Sequence, residues 1–298
     1  MTGRSSLLGE TASEAKASDA RSLPQPDACG MVCTMTFEPV PGATRAVPGH
    51  APLRKYYGAD EKRRDYVSTI FDSTARHYNT IEALLLNGAL WYRKHCLKRA
   101  GLLPGMTVLD VAIGTGAVAR GAVQLVGPTG VVIGVDPSKN MLAQARKHFA
   151  GPITRGVAEH LPFRADYFDF VTMGIALRHV SDLVATFAEY YRVLKPGGTM
   201  WILEGHAPAS KLGRRLTRFM MYRMVPALAL VATRSRDAKE FMEFYWDTVE
   251  ESATPKQILD VIEDVGFERI EHNVFSPICE YIGHKPVRST ITESRTSA

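Results

Sequence analysis

Four short, near-continuous apolar runs constrain the fold of this chain most: "MTVLDV" at 106–111, "GVVIGVD" at 130–136, "FDFVTM" at 168–173 and "TMWILEG" at 199–205. A strand with one wet face alternates apolar and polar residues. Runs that are apolar on both sides of the pleat are buried on both faces. Helical patterns such as "NMLAQARKHF" and "LVATFAEYYRVL" separate them, and Gly or Pro in "GPTG" and "KPGG" punctuates the ends. Strands alternating with helices require right-handed crossovers, so the class is α/β with an open, mostly parallel sheet and helices on both faces. A chain of 298 residues with 45% hydrophobic content is long enough for such a core. In a sheet of this kind a ligand sits beyond the carboxyl ends of the strands, where the strand order reverses.

Two helical segments, "DEKRRDYVSTIFDSTARHY" and "GALWYRKHCLKRAG", precede the first strand, and a long insert at about 209–252 precedes the helix "TPKQILDVIEDVGF". Residues 1–50 are rich in Ser, Ala, Pro and Gly without sustained periodicity, and 287–298 look the same. Both read as disordered tails around one domain at 56–286. The net charge of +5 is mild and forms no long Lys/Arg block, so nothing points to nucleic acid. Cys29, Cys33, Cys96 and Cys279 have no metal spacing, which suits free thiols in the cytoplasm. The start of the chain lacks an apolar signal core, and "FMMYRMVPALALVAT", broken by Arg223 and Pro226, is too short to span a bilayer.

After the first run the chain opens into Gly114-Thr115-Gly116-Ala117-Val118-Ala119, and Asp136 follows at the end of the second run. This satisfies the dinucleotide pattern G-x-G-x-x-G/A, which alone leaves the ligand open between a nicotinamide cofactor and S-adenosyl-L-methionine (SAM). Asp110, just before the turn, favours the second. A carboxylate repels a pyrophosphate but favours the sulfonium and ammonium of SAM.

The segments "FDSTARHYN", "VLDVAIGTG", "GVDPSKNML", "AEHLPF", "FDFVTM", "ALRHVSD", "YRVLKPGG" and "EYIGHKP", in this order from about 65 to 286, resemble the class I SAM-dependent methyltransferases, specifically the ubiquinone/menaquinone biosynthesis C-methyltransferases. The resemblance implies a Rossmann-like fold with a mostly parallel seven-stranded sheet and a helical lid formed by the insert. It places SAM against Asp110, Ala112, Gly114 and Gly116 of the turn, Asp136, Pro137 and Met141 of the second motif, and Ala158 and Glu159 of the third. Tyr78 would close over the methionine end. The chain departs from the pattern at four positions. Ala112 replaces the loop's first glycine, Val157 a polar residue at the adenine, Asn79 an acid after Tyr78, and His179 the asparagine of "LRN".

On the acceptor side, His179 is a candidate base because an imidazole titrates near neutrality. Arg178 could anchor an acceptor oxygen or phosphate, with His206 a weaker second candidate. In the insert, Arg214, Arg215, Arg218 and Arg223 accompany an apolar face of Leu, Met and Phe. That pairing suits a lid packed on the core, or one covering a long apolar substrate with its arginines at an anionic head group or membrane surface. Trp91, Tyr92 and Trp246 could wall the same cavity. The leading expectation is methylation, at carbon, of a lipophilic quinone-like or phenolic ring. A prenyl diphosphate or heteroaromatic acceptor, a nicotinamide-dependent oxidoreductase and a catalytically silent binding protein are the alternatives.

Overall fold

The computed structural model describes residues 46–59, 62–85, 89–208 and 210–287. Seven strands, β1 (Thr107–Val111), β2 (Val131–Asp136), β3 (Ile153–Arg155), β4 (Phe168–Gly174), β5 (Leu194–Gly205), β6 (Glu268–Phe275) and β7 (Ile278–His284), form one sheet in the order β3-β2-β1-β4-β5-β7-β6. The first five run parallel, and β7 pairs antiparallel with both β5 and β6. Each of the four apolar runs coincides with a strand. The order reverses at β1, which has β2 on one side and β4 on the other, so a crevice opens beyond its carboxyl end.

Neighbouring residues of each central strand feed opposite cores, as the pleat requires. Val108, Phe170 and Trp201 pack under α4 (Ala89–Arg99) and α5 (Ala117–Val126), with Leu97, Ala119 and Ala122. Leu109, Val171 and Ile202 pack under α7 (Leu183–Val193) and α11 (Pro255–Asp264), with Phe187, Tyr190 and Ile262. Helix starts follow their capping residues. Asp182 accepts from the Val184 amide, and Thr254 forms a reciprocal capping box with Gln257.

A third core belongs to the helices over the carboxyl end of the sheet. These are α1 (Arg54–Tyr57), α2 (Arg63–Thr74), α3 (Tyr78–Leu85) and the insert: α8 (Lys211–Phe219), a π turn (Met220–Met224), α9 (Val225–Thr233) and α10 (Arg236–Glu250). Ile70, Ile81, Met221, Val225, Ala229, Phe241 and Phe244 meet there. Among the described residues no helix is long and apolar enough to cross a membrane.

The tail expected up to residue 50 is corrected at its end. The Val47 amide donates to Asp182 at 3.2 Å, Gly49 N–H to Val180 O at 3.2 Å, and Ala253 N–H to Gly49 O at 2.9 Å, while His50 is fully buried. Gly49 allows this close approach, since a Cβ there would lie 2.5 Å from Leu177 O. The domain therefore starts before His50. The rest of the two tails, 1–45 and 288–298, lies outside the described residues.

Candidate active site

A cavity of about 450 Å³ opens at the reversal of strand order. Its floor is the β1–α5 turn. Gly114 sits there at φ +55° and its amide donates to Asp136 Oδ2 at 2.9 Å, while Ser138 N–H donates to Asp136 Oδ1 at 2.8 Å. Asp136 ends β2 and lines the cavity; burial pushes its carboxyl up to about 6. Each of its oxygens keeps a second lone pair for an incoming hydroxyl. A Cβ built on Gly114 meets only Ala112 O, at 3.9 Å, so it would point into open cavity.

Two non-glycine residues of the lining, Ala112 at φ +54° and Ile175 at φ +56°, sit in the left-handed region. That backbone costs roughly 1–3 kcal/mol at each position and concentrates at functional sites. The opposite wall is α2. Asp72 Oδ1 accepts from Ser138 Oγ at 2.5 Å and from the Asn140 amide at 3.2 Å, which ties α2 to the start of α6 (Lys139–Ala145). Phe71 and Val67 of α2, Tyr78 of α3, Met173 of β4, and Ile175 and Val180 beyond it give this half of the cavity an apolar lining, beside Arg63, Arg64, Asp65 and Ser68 of α2.

Tyr78, Ala112, Gly114, Asp136, Pro137, Met141, Ala158, Glu159 and His179 all line the cavity. Glu159 already holds the Ser181 amide through Oε1 at 2.6 Å. Asp110 and Gly116 are not in the lining. Asp110 is buried inside the sheet, where Oδ1 accepts from Thr172 Oγ1 at 2.8 Å and burial pushes the carboxyl up to about 7. Gly116 is the left-handed residue before α5, and a Cβ on it would meet Phe149 at 3.4 Å.

Arg178 is placed otherwise than expected. Its guanidinium is 2% exposed, pairs with Glu204 Oε1 at 2.5 Å, donates to Thr248 Oγ1 at 3.0 Å and lies over the Tyr245 ring. It braces β5 against α10 and faces away from the cavity at the glycine turn. His206, Arg214 and Arg218 line a separate cavity of about 430 Å³, so these two lid arginines, expected at an anionic head group, are not at the cavity of the glycine turn. Tyr92 packs on Phe275 and Trp246 lies in the third core, neither in the main cavity; the Trp91 side chain lies outside those described.

His179 does face the cavity, but not as a base titrating near neutrality. Its ring stacks on Phe244 and meets Phe71 edge-on with centroids 5.1 Å apart, and both ring nitrogens are buried without a partner among the described residues. Burial, with Arg178, His50 and Arg63 nearby, holds its pKa well below the ordinary value. It stays neutral, with one nitrogen free to accept a hydrogen bond. Arg63, which also lines the cavity, donates to Arg178 O and Val180 O at 3.1 Å each and so fixes the turn carrying His179. Arg63, Phe71 and His50 escaped sequence reasoning because their roles depend on distant partners. Ser138 escaped it too, although a serine directly before "KNM" carries the signal of a helix N-cap.

The model of the ubiE/COQ5 methyltransferase family matches residues 58–285. The ubiquinone/menaquinone biosynthesis C-methyltransferase UbiE of Shewanella halifaxensis (strain HAW-EB4) is 31% identical over 221 residues, covering 71% of this chain and 86% of the relative. That of Marinomonas sp. (strain MWYL1) is 31% identical over 222 residues, covering 72% and 86%. Among solved structures, a SAM-dependent methyltransferase from Aquifex aeolicus aligns with TM-score 0.51 at 20% identity, over 70% of this chain and 97% of that one. Another from Thermotoga maritima aligns with TM-score 0.52 at 22% identity, over 73% and 98%. With the strand order, the crevice at the glycine turn and the matched residues in agreement, the chain belongs to the ubiE/COQ5 methyltransferase family and is a SAM-dependent methyltransferase.

Proposed function

We propose that this enzyme methylates a ring carbon of a lipophilic quinone-like or phenolic acceptor, with SAM and acceptor side by side in the 450 Å³ cavity. The observation that carries the reading is the division of the lining. One half, Asp136 with the open face of Gly114, suits a ribose and its neighbours; the other sets Phe71, Tyr78, Ile175 and Val180 around one neutral imidazole, with the charged Arg63, Arg64 and Asp65 of α2 beside them. The names of the UbiE relatives agree with it. The two free, buried thiols Cys96 and Cys279 suit action in the cytoplasm.

SAM supplies, when bound, an electrophilic methyl on a sulfonium. Asp136 would accept from the ribose hydroxyls through its spare lone pairs, and the backbone at Ala112 and Gly114 would lie against the nucleoside. Pro137, Met141, Val157 and Ala158 would wall the adenine by shape, with Tyr78 over the methionine end. Phe71, Ile175 and Val180 would hold the acceptor ring and exclude water, so that an in-line approach costs little reorganisation. His179 would accept a hydrogen bond from a ring hydroxyl, which orients the ring and raises electron density at the carbon beside it; the proton that this carbon loses on methylation would pass to solvent.

The test is incubation with methyl-labelled SAM and an alkyl-substituted hydroquinone that carries a free ring position. A product with the label on a ring carbon, read by mass and carbon NMR, is expected. A label on oxygen, or no turnover with any quinol or phenol while SAM still binds, overturns the acceptor reading.

A further inference from the structure

The insert carries a second apolar face that the protein does not cover. Leu212, Leu216, Phe219, Met220, Met224, Leu228 and Val231 make up seven of the thirteen exposed large apolar residues among those described, with Leu212 and Val231 at 78% and 76% exposure. They share one side of the segment α8–π turn–α9. A spacing of four precesses by about 40° per step on an ideal α-helix. The π turn at Met220–Met224 winds more residues into one turn and takes back part of that drift, which keeps the row together. The opposite side is in use: Met221, Val225 and Ala229 are buried against α10 and α3.

The charges along this segment are of one sign. Lys211, Arg214, Arg215, Arg218, Arg223 and Arg234 occur with no Asp or Glu between 210 and 234. Lys211, Arg215 and Arg218 each precede Leu212, Leu216 and Phe219 by one residue, about 100° round the helix, so these cations lie on one flank of the apolar row. Of the six, Arg218 has a carboxylate partner among the described residues, Glu250 at 3.0 Å.

We propose that α8–α9 is a membrane-docking face, lying in the plane of a bilayer that contains anionic phospholipid. The apolar row enters the acyl boundary, and the arginine row meets the phosphates at headgroup depth. The charge argues against a second copy as occupant, because two such faces would set one cationic segment against another with no Asp or Glu between 210 and 234 on either. The position gives the contact a use. α9 packs on α3 and α10, whose Tyr78 and Phe241 touch at 5.8 Å, and Tyr78 lines the cavity. Docking would bring the lipid within one helix layer of the site. The proposal does not depend on which acceptor is methylated.

Vesicle flotation of the full chain tests it, with phosphatidylcholine alone and with about one-third phosphatidylglycerol. Binding should be at least about tenfold tighter to the anionic vesicles and should weaken with salt. Leu216→Ser with Phe219→Ser, both at exposed positions, should lower binding about tenfold or more. Arg214→Gln with Arg215→Gln should remove most of the anionic preference. SAM affinity should be unchanged in both variants. Failure of the parent to float with anionic vesicles overturns the proposal, as does undiminished flotation of the Leu216/Phe219 variant. A concentration-dependent dimer that this variant dissolves would overturn it and assign the face to a second copy. Flotation gained only on removal of residues 1–45 would overturn it and assign the face to that segment.

Discussion

Replacing Arg178 separates two roles that its place next to His179 allows. The guanidinium is buried, paired with Glu204 at 2.5 Å, bonded to Thr248 and Ile175 O, and stacked on Tyr245. Glu204 is 3% exposed and also accepts from the Arg178 and Gly205 amides. Arg178→Met therefore strands a carboxylate in the interior. Breaking a buried pair from one side costs about 3–5 kcal/mol, since desolvation remains while the attraction is gone. For a domain of this size each kcal/mol moves the melting point by roughly 2–4 °C, so a fall of roughly 6–20 °C is expected. Arg178→Met with Glu204→Gln removes both charges and keeps an acceptor for one of the two amides. It should recover at least half of the loss, a coupling of at least about 1.5 kcal/mol. Urea and thermal unfolding of the four proteins give the cycle, and calorimetry gives SAM affinity, which should stay within about threefold because Arg178 is outside the cavity lining. An Arg178→Met enzyme as stable as the parent, with a raised acceptor KM, would refute this and restore Arg178 as a substrate anchor.

The Asp136 carboxyl, pushed up to about 6, is the one we expect to receive the ribose, so SAM binding should be coupled to its ionisation. Its unliganded pKa lies above the bound one. Affinity should therefore rise about tenfold from pH 5 to pH 7 and then level off, with proton release on binding. Asp136→Ala should weaken SAM by about 2 kcal/mol, and a flat pH dependence in the parent would contradict the linkage. His179→Ala should lower turnover about tenfold or more at unchanged SAM affinity, while His179→Gln, which keeps an acceptor, should retain most of it. The parent's pH profile should show no step near neutrality from this histidine, since its pKa is held well below the ordinary value; such a step, lost in His179→Gln, would count against the neutral-acceptor role. Among truncations, a chain starting at Ala51 should be at least about 3 kcal/mol less stable than one starting at Ala46, because it loses four inter-segment hydrogen bonds and the buried His50. Equal melting points would show that this segment does not dock.

The four central strands were legible because a strand buried on both faces has no polar alternation to conceal it. The turn at Gly114 and the acid at Asp136 were legible for the same kind of reason: positive φ and a carboxylate at a strand end are local demands that leave a local mark. β3, at three residues, falls below any periodicity. What the acidic and basic residues do was decided only by the tertiary structure. Asp110 turned into the sheet toward Thr172 instead of the cavity, and Arg178 found Glu204 on the neighbouring strand. His179 became a neutral acceptor because α2 and α10 surround it with Phe71 and Phe244. Residues 47–50, short and unpatterned, joined the domain because Gly49 lets their backbone reach Val180 and Ala253. For the insert, the pattern shows apolar residues on more than one side of a basic helix but not which side is covered. Packing on α10 buried Met221 and Ala229 and left Leu216 and Phe219 facing out, since a helix on the rim of a core has only one side on which to find it.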